Sequence, residues 1–313
     1  MPAPVSSSRP AAARELLDFA PAAGLRWLVV GSPSRISSDP EIAPSLAAIF
    51  APERLDAFAH SAGFRLDRLP RGAIAGYDLG TLYLGELEDA EAPIVRERFA
   101  ARLLEGGIDR ARGGGNVHRI VGTTSTGTVR ALVTVEDRYL AFASGDATLA
   151  RIVEAYAENR LRSPAVLRGA GLRELPSLST DTLVAFLAPG PFSGEWATAA
   201  EGVMASADAV SIEAAKAPRG RLRATLTLAG SWERTDEALA KLARAWDELK
   251  ESSTGRLLGF DRASPLESRA DLQSLTLSAD FAVGPLARGL RDATSADVRE
   301  ILELGAPPEE APP

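Results

Sequence analysis

Two spacings of apolar residues recur along this chain, and each predicts a different element. At Leu222, Ala224, Leu226 and Leu228 every second residue is apolar, with Arg223, Thr225 and Thr227 between them. Leu275, Leu277, Ala279 and Phe281 repeat the pattern against Ser274, Thr276, Ser278 and Asp280. A period of two marks a strand with one buried and one polar face, so strands are predicted over 222–228 and 272–281. Leu239, Leu242, Ala243, Trp246 and Leu249 recur instead at spacings of three and four, which predicts a helix over 236–250 capped by Thr235 or Asp236. Leu149, Ile152, Val153 and Tyr156 follow the same rule behind a Gly145-Asp146 cap.

The same reading places further strands at 26–31, 73–79, 81–87, 117–121, 129–135, 139–143, 183–187 and 210–214. Helices are predicted at 41–49, at 52–62 with Pro52 in the first turn and Gly63 as the stop, and at 94–104, 195–206, 286–290 and 296–304. Written as elements, the first half is β-α-β-β-α-β-β-β-α and the second is β-α-β-β-α-β-α. Both contain the βαββαβ order of a ferredoxin-like split unit. The predicted fold is therefore α+β: two tandem βαββαβ-like modules with mostly antiparallel sheets and helices on one face. The other face, rich in Thr, Ser and Arg, is expected to be exposed or to pack wetly on the other module. The modules are placed at 13–165 and 175–305. They part within 159–180, where Arg160, Arg162, Pro164, Gly169, Gly171 and Pro176 interrupt any period. Low-complexity residues 1–12 and 306–313 read as a disordered leader and tail.

Composition narrows the functions open to such a chain. A length of 313 residues accommodates two ordinary domains, and 45% hydrophobic with 25% charged residues is a globular balance. A net charge of −7 argues against general nucleic-acid binding, which needs a basic face. The absence of cysteine removes disulfides, Cys-ligated zinc, iron–sulfur clusters and thiol nucleophiles. No run approaches the ~20 apolar residues of a membrane span. The opening Met1-Pro2-Ala3-Pro4 has no apolar segment of signal type, and a Pro/Ser/Ala lead of this kind suits the stretch after a cleavage point. Met1 is accordingly expected to replace a removed signal sequence. Only three of the 35 basic residues are lysines, Lys216, Lys241 and Lys250. The remaining arginines fit the codon usage of a GC-rich genome, so a single arginine reads as solvated surface.

Candidate chemistry is sparse. A Ser-His-Asp triad would need His60 or His118, and no Gly-x-Ser-x-Gly elbow presents a serine. His60 sits at a helix end, where a histidine suits the dipole, and no His-Glu-x-x-His spacing offers a zinc site. The run Asp109-Arg110-Ala111-Arg112-Gly113-Gly114-Gly115-Asn116 follows a helix and precedes a strand. A phosphate loop has the opposite order, so the run reads as a connection whose Arg-x-Arg could hold an anion weakly. The lysine positions supply Schiff-base chemistry poorly. Glu86, Glu88, Asp89 and Glu91 lack calcium-loop spacing and read as a solvated loop. Trp246 lies on an apolar stripe and is predicted core, whereas Trp196 and Trp232 stand at element starts beside Gly194 and Gly230. No catalytic, cofactor-binding or metal-ligating residue, and no cofactor, is assigned from the sequence.

The segment Leu140–Arg151, strand then Gly-Asp then helix, and the opening Asp181-Thr182-Leu183-Val184-Ala185-Phe186-Leu187 carry a resemblance. They are similar to a loosely defined group of exported, lipoprotein-type bacterial proteins with tandem α/β modules, from GC-rich deltaproteobacteria and myxobacteria. The resemblance spans most of 25–304. It implies a periplasmic or outer-membrane-associated location with a lipid anchor on the full-length form, and it carries over no activity and no site residues. The function expected is that of a cell-envelope binding or scaffolding protein without catalytic activity, acting on a protein or small ligand through a polar sheet face or the crevice between modules. The alternatives are a hydrolase-like or ligand-sequestering protein with a site between the modules, and a cytoplasmic partner-binding module.

Overall fold

The computed structural model describes residues 16–88, 90–112, 116–158 and 181–288. The leader, the tail, the expected boundary at 159–180 and the helix expected at 296–304 lie outside the described residues. The strands are β1 (Leu25–Gly31), β2 (Gly72–Tyr77), β3 (Gly80–Glu86), β4 (Glu105–Gly106), β5 (Arg110–Arg112), β6 (Val117–Thr123), β7 (Val129–Val135), β8 (Tyr139–Gly145), β9 (Thr182–Pro189), β10 (Ala207–Ala217), β11 (Arg221–Gly230), β12 (Glu267–Asp271) and β13 (Ser274–Ala282). The helices are α1 (Pro33–Ser38), α2 (Ala43–Ile49), α3 (Pro52–Ala62), α4 (Glu91–Ala101), α5 (Thr148–Ala157), α6 (Glu195–Thr198), α7 (Thr235–Glu251) and α8 (Ser253–Leu257), with a 3-10 turn at Leu16–Phe19.

All the strands join one antiparallel sheet in the order β12-β13-β11-β10-β9-β1-β2-β3-β8-β7-β6-β4, with β5 also paired to β6. The α+β class and the antiparallel pairing expected from the sequence are present. The split-unit arrangement differs from what is seen. In a split βαββαβ unit the first two strands are separated by a third, whereas here β1 pairs directly with β2, and β9 with β10. Residues 32–71, which contain α1 to α3, thus cap the sheet end and return beside β1 instead of crossing over a strand. The order of elements along a chain does not determine which edge a strand joins; long-range pairing does. Read outward from the β1–β9 pair, the two halves show the same plan: three sequential strands, then the last strand of the half, then its hairpin partner.

The helical cover also differs from one-sided. On β7, Ala131, Val133 and Val135 join the core beneath α5 and the Leu16–Phe19 turn, while Leu132 joins a second core under α4 with Ile120, Leu140 and Phe99. The sheet of the first half is therefore covered on both faces, which explains why the five successive residues Ala131 to Val135 of β7 are all buried. In the second half, α7 covers one face through Ala238 and Leu242 over Leu228, Leu275 and Leu277. The opposite face carries the expected polar row: Thr225 and Ser278 hydroxyls lie 3.1 Å apart. Ser211, Thr227 and Ser278 on it are buried, so of the two arrangements expected for this face, exposed or packed, these positions are not the exposed one.

Local rules explain the element ends. The Asp146 carboxylate accepts from the Thr148 amide at 2.7 Å and starts α5. Gly63 takes the left-handed conformation that ends α3. The helix expected over 195–206 is broken: Ala200, Glu201 and Gly202 all have positive φ, leaving the four-residue α6 and a 3-10 turn at Val203–Ser206. Both sheet edges are blunted. β12 reads Glu-Ser-Arg-Ala-Asp and is charged, while β4 and β5 are two and three residues long.

Candidate functional site

The residues singled out in the sequence scatter over the molecule. His60 is exposed in the last turn of α3. His118 on β6 faces a carboxylate: its Nδ1 lies 3.0 and 3.1 Å from the two oxygens of Asp109. This is the orienting half of a triad. The hydroxyl directly across the ladder is that of Thr134, which is fully buried and already accepts from Arg96 at 2.9 Å. Arg96 also pairs with Asp137 at 2.7 Å and lies 3.6 Å from Asp109, so the cluster ties α4 to the sheet. No nucleophile with access to substrate stands beside His118 among the described residues.

The lysine and carboxylate clusters are likewise taken up. Lys216 Nζ lies 2.7 Å from Asp39 and 2.8 Å from Glu41, and these hydrogen bonds hold its pKa above the ordinary lysine value, the opposite of what amine nucleophilicity needs. The Lys216 hydrogen bond, with the Glu41 amide, holds the Asp39 carboxyl below its usual range. Glu86 pairs with Arg138, whose Nε donates at 2.9 Å. The Glu91 carboxylate accepts from the Glu88 amide at 3.0 Å, while burial raises its pKa. Asp89 lies outside the described residues. Arg110–Arg112 form strand β5, so the Arg-x-Arg run is an edge strand, and its three glycines lie outside the described residues. Trp246 is half-buried against Phe260 and Phe281. Trp232 donates to the Val203 carbonyl at 3.1 Å, and Trp196 is 57% exposed and stacks on Phe192.

What the sequence did not single out is a strip of apolar side chains on the α4/α7 face of the sheet, across the β1–β9 seam. Register places Tyr83, Ile74, Val29, Phe186, Ile212 and Leu226 in one row over six adjacent strands. Beside it runs a second row, Gly31, Val184, Ala214 and Ala224. Ile212 is 46% and Val184 37% exposed, and the others of the first row are half-buried. Helix α4 packs on β6 and β7, α7 on β12 and β13, and the α1/α2 cluster closes one end through Ile36, Ile42 and Leu222. The strip between them is a trough with an apolar floor. Trp27 bounds it at the seam: a Cβ on Gly76 across the ladder would lie 2.3 Å from the indole, so the ring seats only over a glycine. Among the described residues no helix is long and apolar enough to cross a membrane. The signal for this strip was present as apolar residues on 183–187 and 210–214, but its contiguity depends on the β1–β9 pairing.

The fold thus defines an α+β protein built on one large antiparallel sheet with an apolar trough at its middle. It is similar to the crystal structure titled "Structure of crystal form III of TP0453", with 12% identity and a TM-score of 0.52, over 90% of this chain and 100% of that one. Crystal form I of the same protein gives 11% identity and a TM-score of 0.48, over 90% and 98% of the two chains. At this identity the likeness concerns the fold alone. No family model matches the chain, and no curated protein does.

Proposed function

We propose that this chain is a binding or scaffolding protein of the cell envelope, without catalytic activity, whose binding surface is the apolar trough at the seam of its two halves. The observation that carries the reading is the row from Tyr83 to Leu226, six strands wide with Ile212 and Val184 open to solvent. Contiguous exposed apolar surface on a folded chain is kept for an interaction. Six strands span about 24 Å, the length of a helix of roughly 16 residues, so the occupant proposed is an amphipathic helix of a partner protein laid into the trough. The blunted edges at β12 and β4/β5 disfavour strand addition as the mode of binding. The envelope location, periplasmic or outer-membrane-associated with a lipid anchor on the full-length form, rests on the resemblance of 140–151 and 181–187. The two-module reading, 13–165 and 175–305, is offered as an internal duplication, supported by the matching strand order on either side of the β1–β9 pair. The hydrolase-like alternative has only the His118–Asp109 pair in its favour, and that pair serves the α4 anchor.

A photo-crosslinking residue at position 212, in the full chain in its native host, tests the reading. The expected result is an adduct to a partner segment with apolar residues at spacings of three and four, lost when Val184→Asp is added and absent from a control position at Glu233. Adducts equal at both positions would overturn it, as would adducts to residues 289–313 of the same chain or to a second copy.

A further inference from the structure

On the opposite sheet face, at the β5 end, lies a cleft of about 280 Å³ lined by Gly106, Ile108, Arg110, Arg119, Val121 and Arg151. We infer that this cleft is a binding site for a small organic oxyanion, a phosphate or carboxylate group carried on a compact apolar body.

Three sequence-distant elements bring the arginines together. Arg110 on β5 stands directly across the ladder from Arg119 on β6, so both side chains share a face. Arg112 follows two residues on, and Arg151 comes from the first turn of α5, which packs on that face. Like charges directly opposite on paired strands destabilise the pair. Among the described residues the one carboxylate paired with these arginines is Glu154, 3% exposed, with Oε1 3.1 Å from Arg112 Nε and Oε2 2.9 Å from Arg119 Nε. Among the described residues no carboxylate lies in ion-pair range of Arg110 or Arg151; Asp146 feels the Arg151 charge only at longer range. Four arginines against one glutamate leave a local surplus of positive charge within a chain of net charge −7.

The second observation is inside the ion pair itself. Arg119 is 9% exposed, and both its Nε and Glu154 Oε1 are buried without an aligned hydrogen bond. Glu154 comes closest to each guanidinium at Nε, and a guanidinium carries five donors, so one carboxylate shared by two arginines leaves donors to spare. A nearly buried, incompletely bonded guanidinium lining a cleft with two more arginines is suited to fork onto an oxyanion. Gly106 lets β4 lie close against β6 at this wall: its φ is +87° and a Cβ there would lie 2.5 Å from the Val121 carbonyl. Ile108 and Val121 supply the apolar contact, and the volume is at the small end for ligand sites. Codon usage explains many arginines in this chain; it does not explain three arginine-bearing elements converging on one cleft.

The test is titration calorimetry of the full chain with phenyl phosphate, benzoate, inorganic phosphate, and vesicles containing phosphatidic acid, with sodium chloride as the blank. Saturable binding of phenyl phosphate or benzoate is expected, weakened by at least about tenfold in Arg110→Ala and in Arg151→Ala, the loss of one charge-assisted contact. Both side chains are exposed, so the melting temperature should not fall in either variant, and Arg234→Ala should bind as the parent does. Binding to vesicles with none to the soluble anions would overturn the small-molecule site in favour of a lipid headgroup. No saturable heat from any anion, or equal affinity in Arg110→Ala and the parent, would overturn the site altogether.

Discussion

The two halves of this sheet share a strand order and differ in what covers them. In β7 of the first half, odd and even residues both meet helices: Val133 lies under α5 and Leu132 under α4. In β11 of the second half, Leu228 lies under α7 while Thr225 and the buried Thr227 belong to a polar row with Ser211 and Ser278. The difference teaches how side-chain alternation reports cover. A strand sandwiched between two helical layers gains by being apolar throughout, whereas a strand covered once keeps a strict period of two. Between α4 and α7, where no helix among the described residues covers the sheet, the apolar row is left half-open.

The sharpest test of that contrast compares two truncations. Leu132→Ala should cost about 2–5 kcal/mol, as for a large side chain removed from a packed core. Ile212→Ala, in the open trough, should cost under about 1 kcal/mol. Urea denaturation measures both, and equal costs would mean that the trough is packed in solution. Next in size, Gly76→Ala forces a methyl into the Trp27 ring and should cost roughly 1–3 kcal/mol, with a shift in indole emission. An unchanged spectrum and stability would remove Trp27 from the seam.

A pair of isosteric swaps probes the two faces in opposite directions. Val133→Thr places a hydroxyl in the fully buried layer beneath α5, with Arg119 across the ladder, and should cost about 1–3 kcal/mol. Thr225→Val loses one hydrogen bond to Ser278 and should change stability by no more than about 1 kcal/mol. If the two shifts matched, the polar row would be as dry as the core.

The smallest effect concerns pH at the seam. The Asp39 pKa is depressed below its ordinary 3.8 by Lys216, so its contribution is full above pH 3.8 and falls away as the pH drops through the folded value. The Lys216 pKa is raised above 10.5, so its contribution is full below pH 10.5 and is lost as the pH rises through the folded value. The pair should hold unchanged between those limits. NMR titration of the Asp39 carboxyl should show its midpoint returning toward 3.8 in Lys216→Ala; no movement would uncouple the two groups.

Most of the elements were legible in local pattern. Strand 129–135 and helix 52–62 have the predicted bounds, and the Gly145-Asp146 cap and the Gly63 stop behave as local chemistry dictates. The helix expected at 195–206 failed because three successive positive-φ residues end it, a backbone choice that Ala200 and Glu201 do not announce. Strands β4, β5 and β12 were missed because two to five polar residues at an edge carry no apolar period; their partner strands hold them. Of the arginine cleft, the sequence pattern set only Arg110 and Arg112 side by side, in a run read as a connection. Its company, Arg119, Arg151 and Glu154, comes from another strand and a helix.

The sequence by itself determined the class of the protein, α+β with antiparallel strands, because side-chain period is a local property set by which face each residue must bury. It also determined what chemistry is absent, since a chain without cysteine cannot make thiolate ligands. Tertiary structure alone decided that β1 pairs with both β2 and β9, that the first half is covered twice, and that a trough and an arginine cleft exist at all. Those features depend on hydrogen bonds and burial between residues far apart in the chain, and no periodicity within a segment encodes which distant segment will lie beside it.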